Sequence, residues 1–296
     1  MNRYIGINEG KIECGEYQTF YRIFGNTNGR NRPLVIVHGG PALGHDYLIG
    51  LSRLAGPERA VVLYDQAGCG RSTALRGKGP DYWTIDHFLD ELDSLISGLG
   101  IAGRYDLLGQ SFGACIAAEH AVRRPEGMKA LILANGFADS DLFVDGARRL
   151  CAELPGDAGQ VIETHESAGI RNTEAYQVAM GVFASAHLCR TQPWPAELMQ
   201  SMAHFGEAAE IVSSVLGPSV FNVDGTLGGW SVADRLSNIA VPTLAFRGAH
   251  DEVVEEAFAP FARQIPNAEA HVFEHSSHMP HFEEPEACLA LIDDFL

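Results

Sequence analysis

Short apolar runs rich in β-branched residues recur at positions 33–37, 60–64, 105–108, 130–133, 243–246 and 270–273, each closing near Gly, Asn, Asp or His. Runs that are continuously apolar suit strands buried on both faces, so they predict a parallel sheet. Between them the apolar residues fall at helical spacing. Phe88, Leu89, Leu92, Leu95 and Ile96 mark one face of a helix expected over 85–99, and a closing helix is expected over 285–296. Strands alternating with helices predict an α/β domain, a mostly parallel sheet covered by helices on both faces, with reactive groups at the carboxyl ends of the strands. The alternation stops after Asn135. From 136 to 230 the chain turns helical and polar, interrupted by Pro155, Pro193, Pro195 and Pro218. That segment is too long for a loop and too poor in strand signals to extend the sheet, so it predicts an inserted helical cap, with 1–135 and 231–296 forming the core.

Composition narrows the partners. A formal net charge of -17, from 21 basic and 38 acidic side chains, repels phosphate backbones and anionic lipid. The expected partner is therefore a small molecule or short peptide, neutral or cationic, and neither nucleic acid nor a membrane surface. The six cysteines, Cys14, Cys69, Cys115, Cys151, Cys189 and Cys288, show no C-x-x-C pair and no metal-type spacing. They read as reduced thiols of a cytoplasmic protein. The polar N-terminal stretch lacks a secretory core and no apolar run reaches membrane-span length.

The candidate chemistry starts at Gly109-Gln110-Ser111-Phe112-Gly113, between the run at 105–108 and the Ala/Ile-rich stretch 114–122. This is the layout of a nucleophile elbow, in which a serine sits on a strained strand-to-helix turn beside the first amides of the helix. With 32 glycines in the chain the string alone is weak, and its context must supply a base and an acid. A serine hydroxyl needs an imidazole to take its proton and a carboxylate to fix that imidazole's tautomer. Asp251 follows the run at 243–246 and His278 the run at 270–273, giving the order Ser, Asp, His. Read singly, Asp251 is a turn former and His278 one of twelve histidines; order and position together make them candidates. His275, His278 and His281 match no common zinc spacing, so no metal is expected. The turn His38-Gly39-Gly40-Pro41 is where a second oxyanion donor belongs, its glycines letting backbone approach a ligand, with Gly39 against the substrate. Arg71 is read as pairing within the loops or touching substrate. Cys115, one helical turn past Ser111, is read as packing.

Taken together, His38-Gly39-Gly40-Pro41, His45-Asp46-Tyr47-Leu48, Asp65-Gln66, Gly68-Cys69-Gly70-Arg71-Ser72, the elbow, Gly217-Pro218, Gly225-Thr226-Leu227 with Trp230, Pro242-Thr243-Leu244, Asp251-Glu252 and Ser277-His278 run in order over nearly the whole chain. With these motifs the sequence resembles the proline iminopeptidase group of α/β-hydrolases, in particular its tricorn-interacting aminopeptidase and amino-acid amidase branch. The resemblance implies an α/β-hydrolase fold, a Ser111–Asp251–His278 triad, an oxyanion hole from the amides of Gly40 and Phe112, and no cofactor. It also implies an α-ammonium site made of two glutamates. Glu252 matches one of them. Val220 stands at the position of the other, and Asp224 is the candidate substitute. Ala42 stands where the family motif ends in glycine.

The leading reading is a serine hydrolase that cleaves an amide next to a small amino-acyl group, as an aminopeptidase or amidase. An esterase, lactonase or amidase acting on substrates without a free α-amine is the alternative that Val220 motivates. A non-catalytic receptor on the same scaffold fits less well with a complete set of three catalytic positions. The sequence leaves the natural substrate and the oligomeric state open.

Overall fold

The computed structural model describes residues 6–296. Among them, β1 (Ile7–Cys14), β2 (Tyr17–Phe24), β3 (Leu34–Val37), β4 (Val61–Tyr64), β5 (Tyr105–Gln110), β6 (Met128–Ala134), β7 (Thr243–Gly248) and β8 (Ala268–Phe273) form one sheet in the order β1-β2-β4-β3-β5-β6-β7-β8. Every predicted apolar run is a strand, and β3 to β8 pair in parallel. The difference lies at the N-terminus, where β1 and β2 form an antiparallel hairpin and β2 pairs antiparallel with β4. As an edge strand, β1 exposes most of its side chains, so Ile7–Cys14 carries no apolar run to betray it.

The helices are α1 (Ile85–Gly98), α2 (Phe112–Val122), α3 (Ser140–Ala152), α4 (Ala158–Ala168), α5 (Glu174–His187), α6 (Ala196–Glu207), α7 (Ala209–Val215), α8 (Glu255–Gln264), α9 (Pro280–Glu283) and α10 (Pro285–Phe295). Strand side chains alternate between the two faces of the sheet. Val35, Val37, Val62, Tyr64, Leu107, Leu131 and Leu133 pack with buried residues of α1, α2 and α8 on one face. Leu34, Ile36, Val61, Leu63, Leu108, Ile132 and Ala134 pack with Cys288 and Ile292 of α10 on the other. Both faces are dry, which is why the sequence shows unbroken apolar runs. Helix α2 can lie flat on the sheet because Ala114, Ala117, Ala118 and Ala121 present little more than methyl groups to it.

Helices α3 to α7 lie between β6 and β7 in sequence. Three of them share a separate apolar cluster with Ala147, Ile162, Tyr176, Phe183 and Phe221. Their other contacts reach the loops at the carboxyl ends of the strands: Ser201 Oγ of α6 accepts from Tyr47 N–H (3.1 Å), and the His187 carbonyl of α5 accepts from Glu252 N–H (3.2 Å). No helix among the described residues is long and apolar enough to cross a membrane.

Candidate active site

Strand β5 ends in a turn that leaves Ser111 at φ 57°, ψ -124°. This left-handed conformation costs a non-glycine residue about 1–3 kcal/mol and persists because the surroundings dictate it. A Cβ on Gly109 would stand 2.2 Å from the Gly113 carbonyl oxygen, and one on Gly113 would stand 2.2 Å from that of Val37. Both flanking positions must therefore be glycine for the elbow to close on β3. The turn starts α2 immediately after Ser111, so Phe112 N–H is a first-turn amide without an intrahelical acceptor.

The second loop is held by His38. Its Nε2 accepts from Gln66 N–H (3.0 Å), so the ring proton resides on Nδ1, which donates to the Gly39 carbonyl (2.8 Å). Burial pushes the ring's pKa down to about 4, and the neutral tautomer is fixed. Within one trans peptide, C=O and N–H point in opposite directions. Tying back the Gly39 carbonyl thus turns the Gly40 N–H away from His38. Among the described residues neither Gly40 N–H nor Phe112 N–H donates to a protein acceptor. The polar groups of Gly39 are engaged within the loop: its N–H donates to Tyr47 Oη (2.7 Å), and its carbonyl accepts from His38 Nδ1 (2.8 Å) and Leu43 N–H (3.3 Å). What Gly39 contributes is space, because a Cβ there would stand 2.7 Å from Ser111 Cβ.

Ala42 adopts φ 66°, the conformation that explains a family preference for glycine at this place. An alanine in this region costs about 1–2 kcal/mol. Ala42→Gly is accordingly expected to leave kcat unchanged and to keep or raise the midpoint of urea unfolding, despite the entropy glycine adds to the unfolded chain; a clear fall in the midpoint would contradict this strain. Beneath the loop, Arg71 is structural: its guanidinium forks onto Asp46 (2.9 and 3.0 Å) and its N–H donates to Asp65 Oδ2 (2.8 Å).

Asp251 and His278 meet beyond the ends of β7 and β8. Asp251 Oδ1 accepts from His278 Nδ1 (2.7 Å) and from Val253 N–H (2.9 Å), and Oδ2 accepts from Asn135 Nδ2 (2.7 Å). Asn135 also reaches the Ser277 carbonyl (3.3 Å), so one side chain ties both loops together. The sequence reading missed it; an Asn before Gly at a strand end, here at φ 52°, was the available signal. Gln110 does similar work next to the elbow, donating from Nε2 to the His278 carbonyl (3.2 Å) and accepting from Tyr47 Oη (2.5 Å). The elbow, Gly39 and His278 are thereby joined through Gln110 and Tyr47.

With Nδ1–H given to Asp251, His278 Nε2 is the nitrogen left for chemistry. No hydrogen bond joins it to Ser111 Oγ in this structure. The charged group nearest to hand is Glu252, whose Oε1 lies 3.8 Å from Nε2. The Glu252 side chain is only 12% exposed, and among the described residues no hydrogen-bond donor reaches its carboxylate. Burial raises its pKa, the His278 charge opposes that, and the Asp251 charge adds to it. For His278, burial pushes the pKa down, but the charge and hydrogen bond of Asp251 with the charges of Glu252 and Glu283 outweigh it, lifting the imidazolium to about 9.

The remaining sequence candidates lie elsewhere. Asp224 is exposed and accepts from Asn222 Nδ2 (3.4 Å). Val220 packs between the main apolar cluster and that of α3, α4 and α5. Cys115 is buried, its thiol pushed up in pKa by desolvation, as packing requires. Among the described residues no three His, Cys, Asp or Glu side chains gather as metal ligands. A cavity of about 810 Å³ lies between α3, α4 and Phe221, lined by Arg148 and Glu166 and not by Ser111, His278 or Glu252.

Known proteins share this fold. Residues 32–285 match the alpha/beta hydrolase fold family. A proline iminopeptidase of Saccharolobus solfataricus is 34% identical over 294 residues, covering 99% of this chain and 93% of that protein. The crystal structure of a proline iminopeptidase of Mycobacterium smegmatis superposes with a TM-score of 0.91 at 36% identity, over 97% of each chain. VinJ superposes with a TM-score of 0.94 at 40% identity, over the same shares. A strained serine at the end of β5, a His–Asp pair beyond β7 and β8, and full-length likeness to these proteins place the chain in the α/β-hydrolase family, in its proline iminopeptidase group.

Proposed function

We propose that the chain removes an N-terminal residue, proline or another small residue, from short peptides or amides through an acyl-enzyme on Ser111. His278 Nε2 takes the Ser111 proton as Oγ attacks the scissile carbonyl, and Asp251 holds the Nδ1–H tautomer and the imidazolium that forms. Gly40 N–H and Phe112 N–H receive the oxyanion. His278 then hands its proton to the leaving amine, and water repeats the sequence on the ester. Helices α3 to α7 act as a cap over this site, since α5 and α6 contact the loops that carry Glu252 and Tyr47. The buried free cysteines suit a reducing compartment.

The observation that carries this reading is Glu252: a nearly buried carboxylate without a hydrogen-bond donor, beside the reacting nitrogen. Such a group calls for a cationic ligand, and a substrate α-ammonium is the cation that would stand next to a carbonyl at Ser111. One carboxylate contributes a charge-assisted hydrogen bond of about 1.5–3 kcal/mol, so N-acetylation of a prolyl p-nitroanilide is expected to lower kcat/KM by roughly tenfold to a hundredfold. Glu252→Gln should remove most of that difference. The second reading, acyl transfer from substrates without a free amine, draws on Val220, which leaves no carboxylate at the cap position and no apparent substitute in Asp224. A rate panel of prolyl p-nitroanilide, its N-acetyl form and a simple acyl ester separates the two: faster turnover of the blocked or amine-free compounds would establish the second.

A further inference from the structure

Two acidic side chains flank one imidazole here, and only one of them does what a triad requires. Asp251 faces Nδ1 of His278 and Glu252 faces Nε2, from adjacent positions of the loop after β7. The loop before α9 presents His278, and α9 adds Glu283 and His281 to its surroundings. Glu283 is already engaged by Ser277 N–H, Ser277 Oγ and Arg190 N–H. His281 is half-buried with its Nε2 enclosed, and desolvation pushes its pKa down to about 3, so it stays neutral. From α5, His187 turns its Nδ1 to the His250 carbonyl. Glu252 is therefore the anion without a protein hydrogen-bond donor on the side of the nitrogen that must accept the serine proton.

A carboxylate in that place opposes catalysis in the free enzyme, because it favours imidazolium, and imidazolium cannot act as a base. We propose that the substrate's own α-ammonium switches His278 on: by binding to Glu252 it takes over the carboxylate's charge and displaces the proton from Nε2 to solvent. The proposal rests on the reading of Glu252 as the ammonium site. Its balance is simple: the ammonium keeps its protons, His278 loses one, and buffer receives it. Substrate cation and imidazole proton compete for one anion, so each weakens the other by the same factor. The elevated pKa of His278 in the unliganded chain agrees with this competition. The consequence is selectivity in the chemical step as well as in binding. A substrate without an amine leaves the Glu252 charge facing Nε2, whereas an aminoacyl substrate offsets it and favours the neutral base.

The test is calorimetry of the full chain carrying Ser111→Ala, titrated at pH 7 with L-prolinamide in phosphate and in Tris, whose different ionisation enthalpies reveal proton release. A net release of protons should accompany binding, because the ammonium offsets the Glu252 contribution to the raised His278 pKa while that of Asp251 remains. N-acetyl-prolinamide should release none. In the unmodified enzyme, the acid limb of phosphonate inactivation, which reports free His278, should lie at least one pH unit above the acid limb of kcat for prolyl p-nitroanilide, which reports the complex. Glu252→Gln should lower the first limb toward the second. Prolinamide binding with no proton release, or coincident acid limbs, overturns the switch and leaves the aminopeptidase reading standing. Failure of prolinamide to bind, or equal binding of its acetylated form, overturns both. The wild-type comparison stands even if the Glu252 variant does not fold.

Discussion

Ser111→Ala should abolish labelling by an organophosphonate and lower kcat by about 10⁴- to 10⁶-fold, the scale seen when the nucleophile of a serine hydrolase is removed. The fold should survive. Ser111 Oγ makes no hydrogen bond to the protein among the described residues, and alanine has no more difficulty at φ 57° than serine. What the mutation deletes is therefore the attacking atom, with Gly40 N–H and Phe112 N–H left in place. Mass spectrometry of the phosphonylated protein reads the result. Cys115, the nearest alternative nucleophile in sequence, is buried, and desolvation holds its thiol protonated. Residual labelling at Cys115, or turnover within tenfold of the unmodified enzyme, would dismantle the assignment.

How much of this was legible in the sequence depends on what each residue's partners are. The parallel strands could be read because both faces are dry, and α1 could be read because one face is wet. Strand β1 could not, since an edge strand selects for little besides pairing. Ser111, Asp251 and His278 carry signals because the elbow, the strand ends and the order along the chain each restrict them. Asn135, Gln110 and Tyr47 hold that constellation together through contacts between residues up to 168 positions apart, from Gln110 to His278, and pair signals of that kind have no local pattern. Gly39 shows the converse. Its type was informative, but whether a glycine serves a hydrogen bond or a close approach depends on where Tyr47 and His38 lie. Asp224 looked suitable by proximity in sequence to Val220, and the turn that follows carries it to the surface.

Val220 illustrates why the free-amine requirement is not simply inherited with the fold. Its side chain closes a seam between the apolar clusters of the sheet and of the inserted helices. Val220 is half-buried, so a carboxylate in its place would lose part of its solvation without a guaranteed donor. If the proposed ammonium site exists, Glu252, with its Oε1 3.8 Å from His278 Nε2, is the carboxylate that would form it.

Asp251→Asn should lower kcat by about 10³- to 10⁴-fold, or about 4–5.5 kcal/mol, with little change in KM. Three donors converge on this carboxylate: His278 Nδ1–H, Val253 N–H and Asn135 Nδ2. An amide in its place must turn its own NH₂ toward one of them. Facing Oδ1's partners, it meets Val253 N–H and forces His278 to accept at Nδ1, which moves the ring proton to Nε2 and blocks attack. Facing Asn135 instead, it preserves the tautomer only if Asn135 rotates and gives up the Ser277 carbonyl, and the imidazolium formed during attack still lacks its anion. Both arrangements slow the reaction. The pH dependence must move the other way. Asp251 is the main influence raising His278, so its loss shifts the acid limb of phosphonate inactivation downward from the region of about pH 9, and the neutral base persists to lower pH while doing less with it. A variant with lower kcat and an unmoved or raised acid limb would show that Asp251 does not act through His278, and the triad would have to be assigned anew.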